Sequence, residues 1–140
     1  MAAFNKFNSF VEALAEKVHN LGSDTLKVML TNTAPVATNT IKANLTEISA
    51  GNGYTAGGNT ATVTSSAQTS GTYKLVLGDP ATWTASGGSL GPFRFAVLYN
   101  DTATNDELIG WWDYGSSITL ASGESFAVDF DPTTGVLTLA

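Results

Sequence analysis

The sequence predicts a single all-β domain, a sandwich or a barrel, preceded by one N-terminal α-helix. Apolar residues recur every three or four positions only within residues 3–21, which is the spacing of one helical face. Beyond Gly22 the period changes to two, and about eight or nine short strand-like runs are separated by glycine-rich turns. A chain of 140 residues is long enough to bury a real core as one domain.

The predicted helix spans residues 3–21 and carries one apolar stripe. Gly22 stands where a left-handed C-terminal cap is expected. The stripe must lie on another surface, either the sheet of its own subunit or a neighbouring molecule, and the sequence leaves both open. Its members are Phe4, Phe7, Phe10, Val11, Leu14, Val18 and Leu21.

The strands follow in order after the helix. The run 26–31 reads as a half-buried strand, and 41–48 as a weaker strand or a turn of helix. The run 60–69 is rich in Thr and Ser with little core material, which predicts an edge or surface strand. The run 93–99 is the strongest strand and should be covered on both faces. The remaining predicted strands are 72–77, 82–85, 107–114, 117–120, 125–130 and 136–139.

Few residues could carry catalysis. The single histidine, His19, is predicted in the last helical turn, where the helix dipole favours a cation, and the chain has no cysteine. Nucleophilic triads and zinc sites therefore lack members. Asp129 and Asp131 could be imagined as a calcium site or a glycosidase pair, but alternation points Asp129 to solvent and Asp131 begins a turn. We expect no enzyme activity, no catalytic residues, no cofactor and no metal.

The charge pattern points to proteins as partners. The net charge is −6, and the six Lys and Arg residues are scattered, so direct nucleic-acid or membrane binding is not expected. Charged residues make up only 13% of the chain. A hydroxyl- and amide-rich surface costs less to cover than an ionic one, which favours stable protein contacts. Without a long apolar span or an unbroken signal stretch, we expect synthesis and folding in a cytoplasm.

The run 110–115 carries the most informative aromatics. Trp111 and Trp112 are adjacent, so a strand would point them to opposite faces. One can be core, while the other would be covered, anchor a protein interface or stack on a sugar together with Tyr114. Trp83 is a further candidate for sugar binding.

Several segments together resemble the capsid cement, or decoration, proteins of tailed bacteriophages, among them the one on the head of a short-tailed phage of Bordetella. The likeness spans nearly the full chain and is one of overall pattern, without a catalytic fingerprint. The segments are 4–21, 24–32, 91–100 and 108–115.

The resemblance implies a jelly-roll fold, so the expected architecture is a jelly-roll-like two-sheet β-sandwich at 23–140 after a helical arm at 1–22. It also implies a homodimer on the outer surface of the virion head that bridges major capsid protein subunits and stabilises the shell without covalent bonds. The alternatives are a carbohydrate-binding or adhesive module and a tail or baseplate component. The candidate interface residues are Phe4, Phe7, Phe10, Leu14, Trp111, Trp112 and Tyr114.

Overall fold

The computed structural model describes residues 2–140, which form ten β-strands, one α-helix and one short 3-10 helix. The strands are β1 (Asn5–Lys6), β2 (Leu26–Thr31), β3 (Asn59–Ala61), β4 (Val63–Thr69), β5 (Thr72–Leu77), β6 (Trp83–Thr84), β7 (Leu90–Asn100), β8 (Leu108–Leu120), β9 (Ser125–Phe126) and β10 (Leu137–Leu139). The α-helix α1 spans Ser9–Ala15 and the 3-10 helix spans Lys42–Asn44. The mostly β architecture with a single α-helix confirms the predicted all-β class.

The strands form three sheets, where the sequence predicted two. A five-stranded sheet has the order β1-β8-β7-β2-β3, a three-stranded sheet the order β10-β5-β4, and β6 pairs with β9. The main core draws on β2, β7 and β8 from the large sheet and on β5, β6 and β10 from the small sheets. The two small sheets therefore share a core with one face of the large sheet, as in a sandwich.

The long hairpin of β7 and β8 is the centre of the large sheet. Burial on both faces of β7 confirms the prediction for 93–99. The predicted strands 107–114 and 117–120 are one strand, β8, which passes through Gly115 at a φ of 102°. The predicted strand 125–130 is shorter, because regular pairing ends at Phe126 although Val128 and Phe130 stay buried.

The opposite face of the large sheet has its own smaller core. This second cluster explains why β2 is buried on both faces, where the sequence predicted a half-buried strand. The segment 41–48 covers this side and contains a 3-10 turn, one of the two forms predicted for it. The cluster consists of Phe7, Met29, Leu45, Val97, Tyr99 and Leu108, with Trp111 packed against it.

The predicted helix over 3–21 is wrong at both ends. Asn5 and Lys6 pair with Trp111 and Gly110, so these residues form an edge strand beside β8 and not a helix. Phe4 and Phe7 are three positions apart, a spacing that also fits opposite faces of a strand. Their rings lie 5.3 Å from Trp112 and 4.5 Å from Trp111, respectively, measured between centroids.

The helix ends before the predicted cap at Gly22. Lys17 adopts a φ of 70°, and its N–H donates to the carbonyl of Leu14 at 3.3 Å. The N–H of Val18 donates to the carbonyl of Ala13 at 2.8 Å, which completes a Schellman motif with Lys17 as the left-handed residue. The prediction failed because lysine in this conformation is uncommon and glycine is the usual sign.

The N-terminal segment is therefore joined to the sheet through Asn5 and Lys6, and the helix predicted for the arm at 1–22 is limited to Ser9–Ala15. Phe7 and Phe10 are 0% and 1% exposed, each within the subunit's own core. Gly110 makes room for the segment, since a Cβ there would clash with the ring of Phe4. Most of the apolar stripe thus packs within its own subunit, whereas its members Val11 and Val18 are 47% and 37% exposed.

The strands β3 and β4 form one nearly continuous edge that passes between sheets. The first pairs with β2 in the large sheet, and the second pairs with β5 in the three-stranded sheet. As predicted for 60–69, β4 is an edge strand. A two-residue turn joins β4 to β5. It consists of Ser70 and Gly71, whose φ values of 50° and 85° are typical of a type I′ hairpin.

Candidate interaction surface

A groove of about 420 Å³ opens where β7 and β8 meet the chain that follows β9. Its walls are mostly apolar, and its polar groups lie at Arg94 and Asp129. The main lining side chains are Phe93, Phe95, Trp112, Tyr114, Phe126 and Val128. An apolar cleft with a few polar groups is the usual form of a binding site. We call it the aromatic groove.

One exposed ring forms the rim of the aromatic groove. Tyr114 is 56% exposed and meets the half-buried Phe126 edge to face, with ring centroids 5.8 Å apart. Phe126 in turn meets the buried Phe93 edge to face at 4.9 Å. The tyrosine is thus held by a chain of aromatic contacts that ends in the core, and it loses little freedom when a partner covers it.

An ion pair lies beside this rim. The guanidinium of Arg94 donates from Nε and Nη2 to the two carboxylate oxygens of Asp113, at 2.7 and 2.9 Å. The Gly115 amide donates to the same carboxylate at 2.8 Å. Arg94 and then Gly115 hold the pKa of Asp113 below its ordinary value. Because the charges of Arg94 and Asp113 cancel, the planar guanidinium of Arg94 lines the groove without adding a net charge to it.

The seven predicted interface residues differ in how far the structure exposes them. Trp111 and Trp112 point to opposite faces of β8 as predicted, but Trp112 is only 6% exposed and Trp111 is half-buried. Phe7 and Phe10 are fully in the core, while Phe4 and Leu14 are half-buried against it. Tyr114 alone among the seven is well exposed. Trp83, the other sugar-binding candidate, is 1% exposed and too deeply buried to stack on a sugar.

Of the groove's lining residues, the predicted interface included only Trp112 and Tyr114, and two of those it missed are Arg94 and Phe126. Arg94 is the single arginine of the chain and lies within the most apolar strand, which is a signal that it has a partner. Phe126 was assigned only to a strand, because its contact with Tyr114 joins separate strands and has no local pattern.

The remaining ionisable feature of note is His19, which lies outside the helix where the sequence placed it. It is 4% exposed, and its Nδ1 accepts from the Asn100 amide at 3.1 Å. The same amide donates to Asp24 at 2.6 Å. Burial lowers the pKa of His19, although Glu107 and then Asp24 oppose this effect. Burial therefore favours the neutral imidazole, which joins the N-terminal segment to the end of β7.

We expect acid to destabilise the fold through His19. Because the pKa of His19 is lower in the fold than its ordinary value of about 6.5, the unfolded chain binds more protons at this residue than the fold does as the pH falls through that value. The free energy of unfolding should therefore decrease as the pH falls from 7.5 to 5.5, by at most about 1.4 kcal/mol per unit from this residue. Urea unfolding at both pH values measures this, with His19→Gln as the comparison.

The His19→Gln variant should be less stable than the wild type at pH 7.5 but should lose less on acidification. Equal losses in both proteins would assign the acid sensitivity to carboxylates instead of His19.

Within residues 2–140, no three His, Cys, Asp or Glu side chains converge on a point where they could hold a metal ion. No helix in this part of the chain is long and apolar enough to cross a membrane. Comparisons with protein-family models, curated proteins and solved structures find no match.

Proposed function

We propose that this chain is a non-enzymatic structural protein of a tailed-phage virion, which decorates the outside of the icosahedral head and bridges major capsid protein subunits. The proposal includes a jelly-roll-like sandwich fold, which is the architecture that the resemblance implies. The division of the core between one large sheet and two small sheets is compatible with it. The protein would be made in the host cytoplasm and act on the virion as a homodimer.

The observation that carries the proposal is the aromatic groove. Tyrosine, tryptophan, phenylalanine and arginine are the residues enriched where proteins bind one another. The groove presents Tyr114 at its rim, Trp112 on its wall and the paired Arg94 beside them. Its ring contacts are already in place, so little ordering is required on binding.

Charge also supports a protein partner. The groove's ion pair is internally neutral, and Asp129 adds one exposed carboxylate to the lining. A complementary capsid segment would carry an apolar side chain for the groove and a cation facing Asp129. Many such modest contacts on a repeating lattice add to a firm attachment by avidity.

The test is the survival of heads under heat. Mature heads prepared without this protein are heated with and without it, and the DNA that becomes accessible to nuclease is measured. The proposal expects less accessible DNA when the protein is bound. Identical release curves at saturating protein would refute a stabilising role.

A second candidate function is glycan binding at the same groove. The observation in its favour is the exposed Tyr114 ring together with the Asp129 carboxylate, which could stack on a sugar and accept from its hydroxyls. Trp112 lies in the groove wall and would report binding by fluorescence. A saturable change with a glycan, absent in Tyr114→Ala, would favour this function over the capsid role.

A further inference from the structure

We infer that two copies of this chain pair along the edge strand β4, in antiparallel orientation about a two-fold axis at Ala67. The inference deepens the proposed function because it locates the contact of the proposed homodimer. It rests on the length, charge and register of β4.

The strand β4 differs in length from the other sheet edges. Among residues 2–140 the remaining outer strands are two or three residues long, whereas β4 has seven. Short edges are a common protection against pairing with other chains, as are lysine, proline and bulges. β4 contains no lysine and no proline, and its one irregularity lies between Val63 and Ser65. The stretch 65–69 is a regular and unprotected edge.

The charge distribution selects a second copy as the occupant. The chain has a net charge of −6, so most contacts between copies would bring like charges together. Residues 48–73 contain no charged side chain, and β4 lies within this run. Pairing of β4 with itself therefore places only hydroxyl, amide and small apolar side chains in contact.

The hairpin register identifies which backbone groups face outward. Thr69 pairs with Thr72 across the two-residue turn, and Ala67 pairs with Lys74. Residues flanking such a turn exchange both hydrogen bonds, and bonded pairs alternate along the strand. The N–H and C=O groups of Ser66 and Gln68 therefore point away from β5.

These outward groups define a symmetric register. If Ser66 bonds with Gln68 of a second copy, Gln68 bonds with Ser66 of that copy, and the axis passes between the two Ala67 residues. The two Ala67 residues then form a non-hydrogen-bonded pair, in which the Cα atoms lie about 4.5 Å apart. Ala67 is exposed and small, which suits this close approach.

The register is tested by disulfide formation. The chain has no cysteine, so Ala67→Cys introduces a single thiol on the proposed axis. A separation of about 4.5 Å lies within the range that a disulfide bridges. Ser65→Cys is the matched control on the same strand face. Its partner in this register is position 69, which leaves the two thiol-bearing residues about 14 Å apart, too far to link.

Under mild oxidation we expect Ala67→Cys to form a covalent dimer and Ser65→Cys to remain unlinked. Linkage of Ser65→Cys alone, or of both variants to the same extent, would overturn the register. Linkage of neither variant would overturn the pairing itself.

Sedimentation of the unmodified chain provides a second measurement. We expect a species of twice 14.5 kDa for the wild type. Gln68→Pro removes an outward N–H on each copy without touching the bonds to β5, and should raise the dimer Kd about tenfold or more. A wild type that stays monomeric at millimolar concentration, or a Gln68→Pro Kd that is unchanged, would refute the inference.

Binding to heads separates this inference from the proposed function. If the wild type dimerises through β4 but does not bind heads, the capsid role fails and the pairing stands. If monomers bind heads and β4 variants bind equally well, the pairing fails and the capsid role stands.

Discussion

Replacing Phe7 with alanine is expected to reduce the free energy of unfolding by about 3–5 kcal/mol. The side chain is 0% exposed and packs on Trp111, with ring centroids 4.5 Å apart. Its removal leaves a cavity in the smaller core and weakens the attachment of β1 to β8. Urea unfolding followed by tryptophan fluorescence measures the change, since Trp111 reports directly on this contact.

The matched control is Val11→Ala. Val11 is apolar and lies in the same N-terminal region, but it is 47% exposed on α1. Its truncation should change the free energy of unfolding by no more than about 0.5 kcal/mol. If Phe7→Ala cost as little as Val11→Ala, the N-terminal segment would not be packed on the sheet in solution, and the alternative of an arm that reaches a neighbouring molecule would be favoured.

Replacing Tyr114 with alanine is expected to weaken binding to heads at least tenfold, with little change in stability. Truncation of an aromatic residue that a partner fully covers typically costs 2 kcal/mol or more, which exceeds a factor of ten in affinity. Tyr114 is 56% exposed in the free subunit and contributes mainly an edge-to-face contact with Phe126. Titration of labelled protein onto heads gives the affinity.

Val36→Ala controls for the loss of any exposed apolar side chain. Val36 is 53% exposed, has a similar apolar character and does not line the aromatic groove. We expect its affinity for heads to equal that of the wild type. Equal affinities for Tyr114→Ala and the wild type would exclude the groove as the attachment site, and equal losses in both variants would show that the effect is nonspecific.

The sequence predicted local features of the fold well because strands and turns have local signals. Period-two patterning located β2 and β7, and the scarcity of core residues correctly identified β4 as an edge. The N-terminal helix was overextended, because the spacing of Phe4 and Phe7 fits either one helical face or two strand faces. Only the position of β8 decides between them, and that is a long-range contact.

The candidate site was less predictable for the same reason. Tyr114 was singled out from its neighbours in sequence, whereas its contacts come from other strands. The Arg94–Asp113 pair joins β7 to β8, and Phe126 arrives from β9. For Trp111 and Trp112 the sequence left core, protein interface and sugar stacking open, and in the structure Trp112 is buried while Trp111 is half-buried against the smaller core. Neither the number of sheets nor the groove has a local sequence pattern.

The most direct test of the decoration role is cosedimentation of the purified protein with mature heads that lack it, with the bound copies counted per head. The account predicts saturable binding at a fixed ratio to the major capsid protein, with the affinity reduced at least tenfold in Tyr114→Ala and unchanged in Val36→Ala. Absence of saturable binding by the folded wild-type protein would contradict a place on the head and would direct attention to tails and then to glycans.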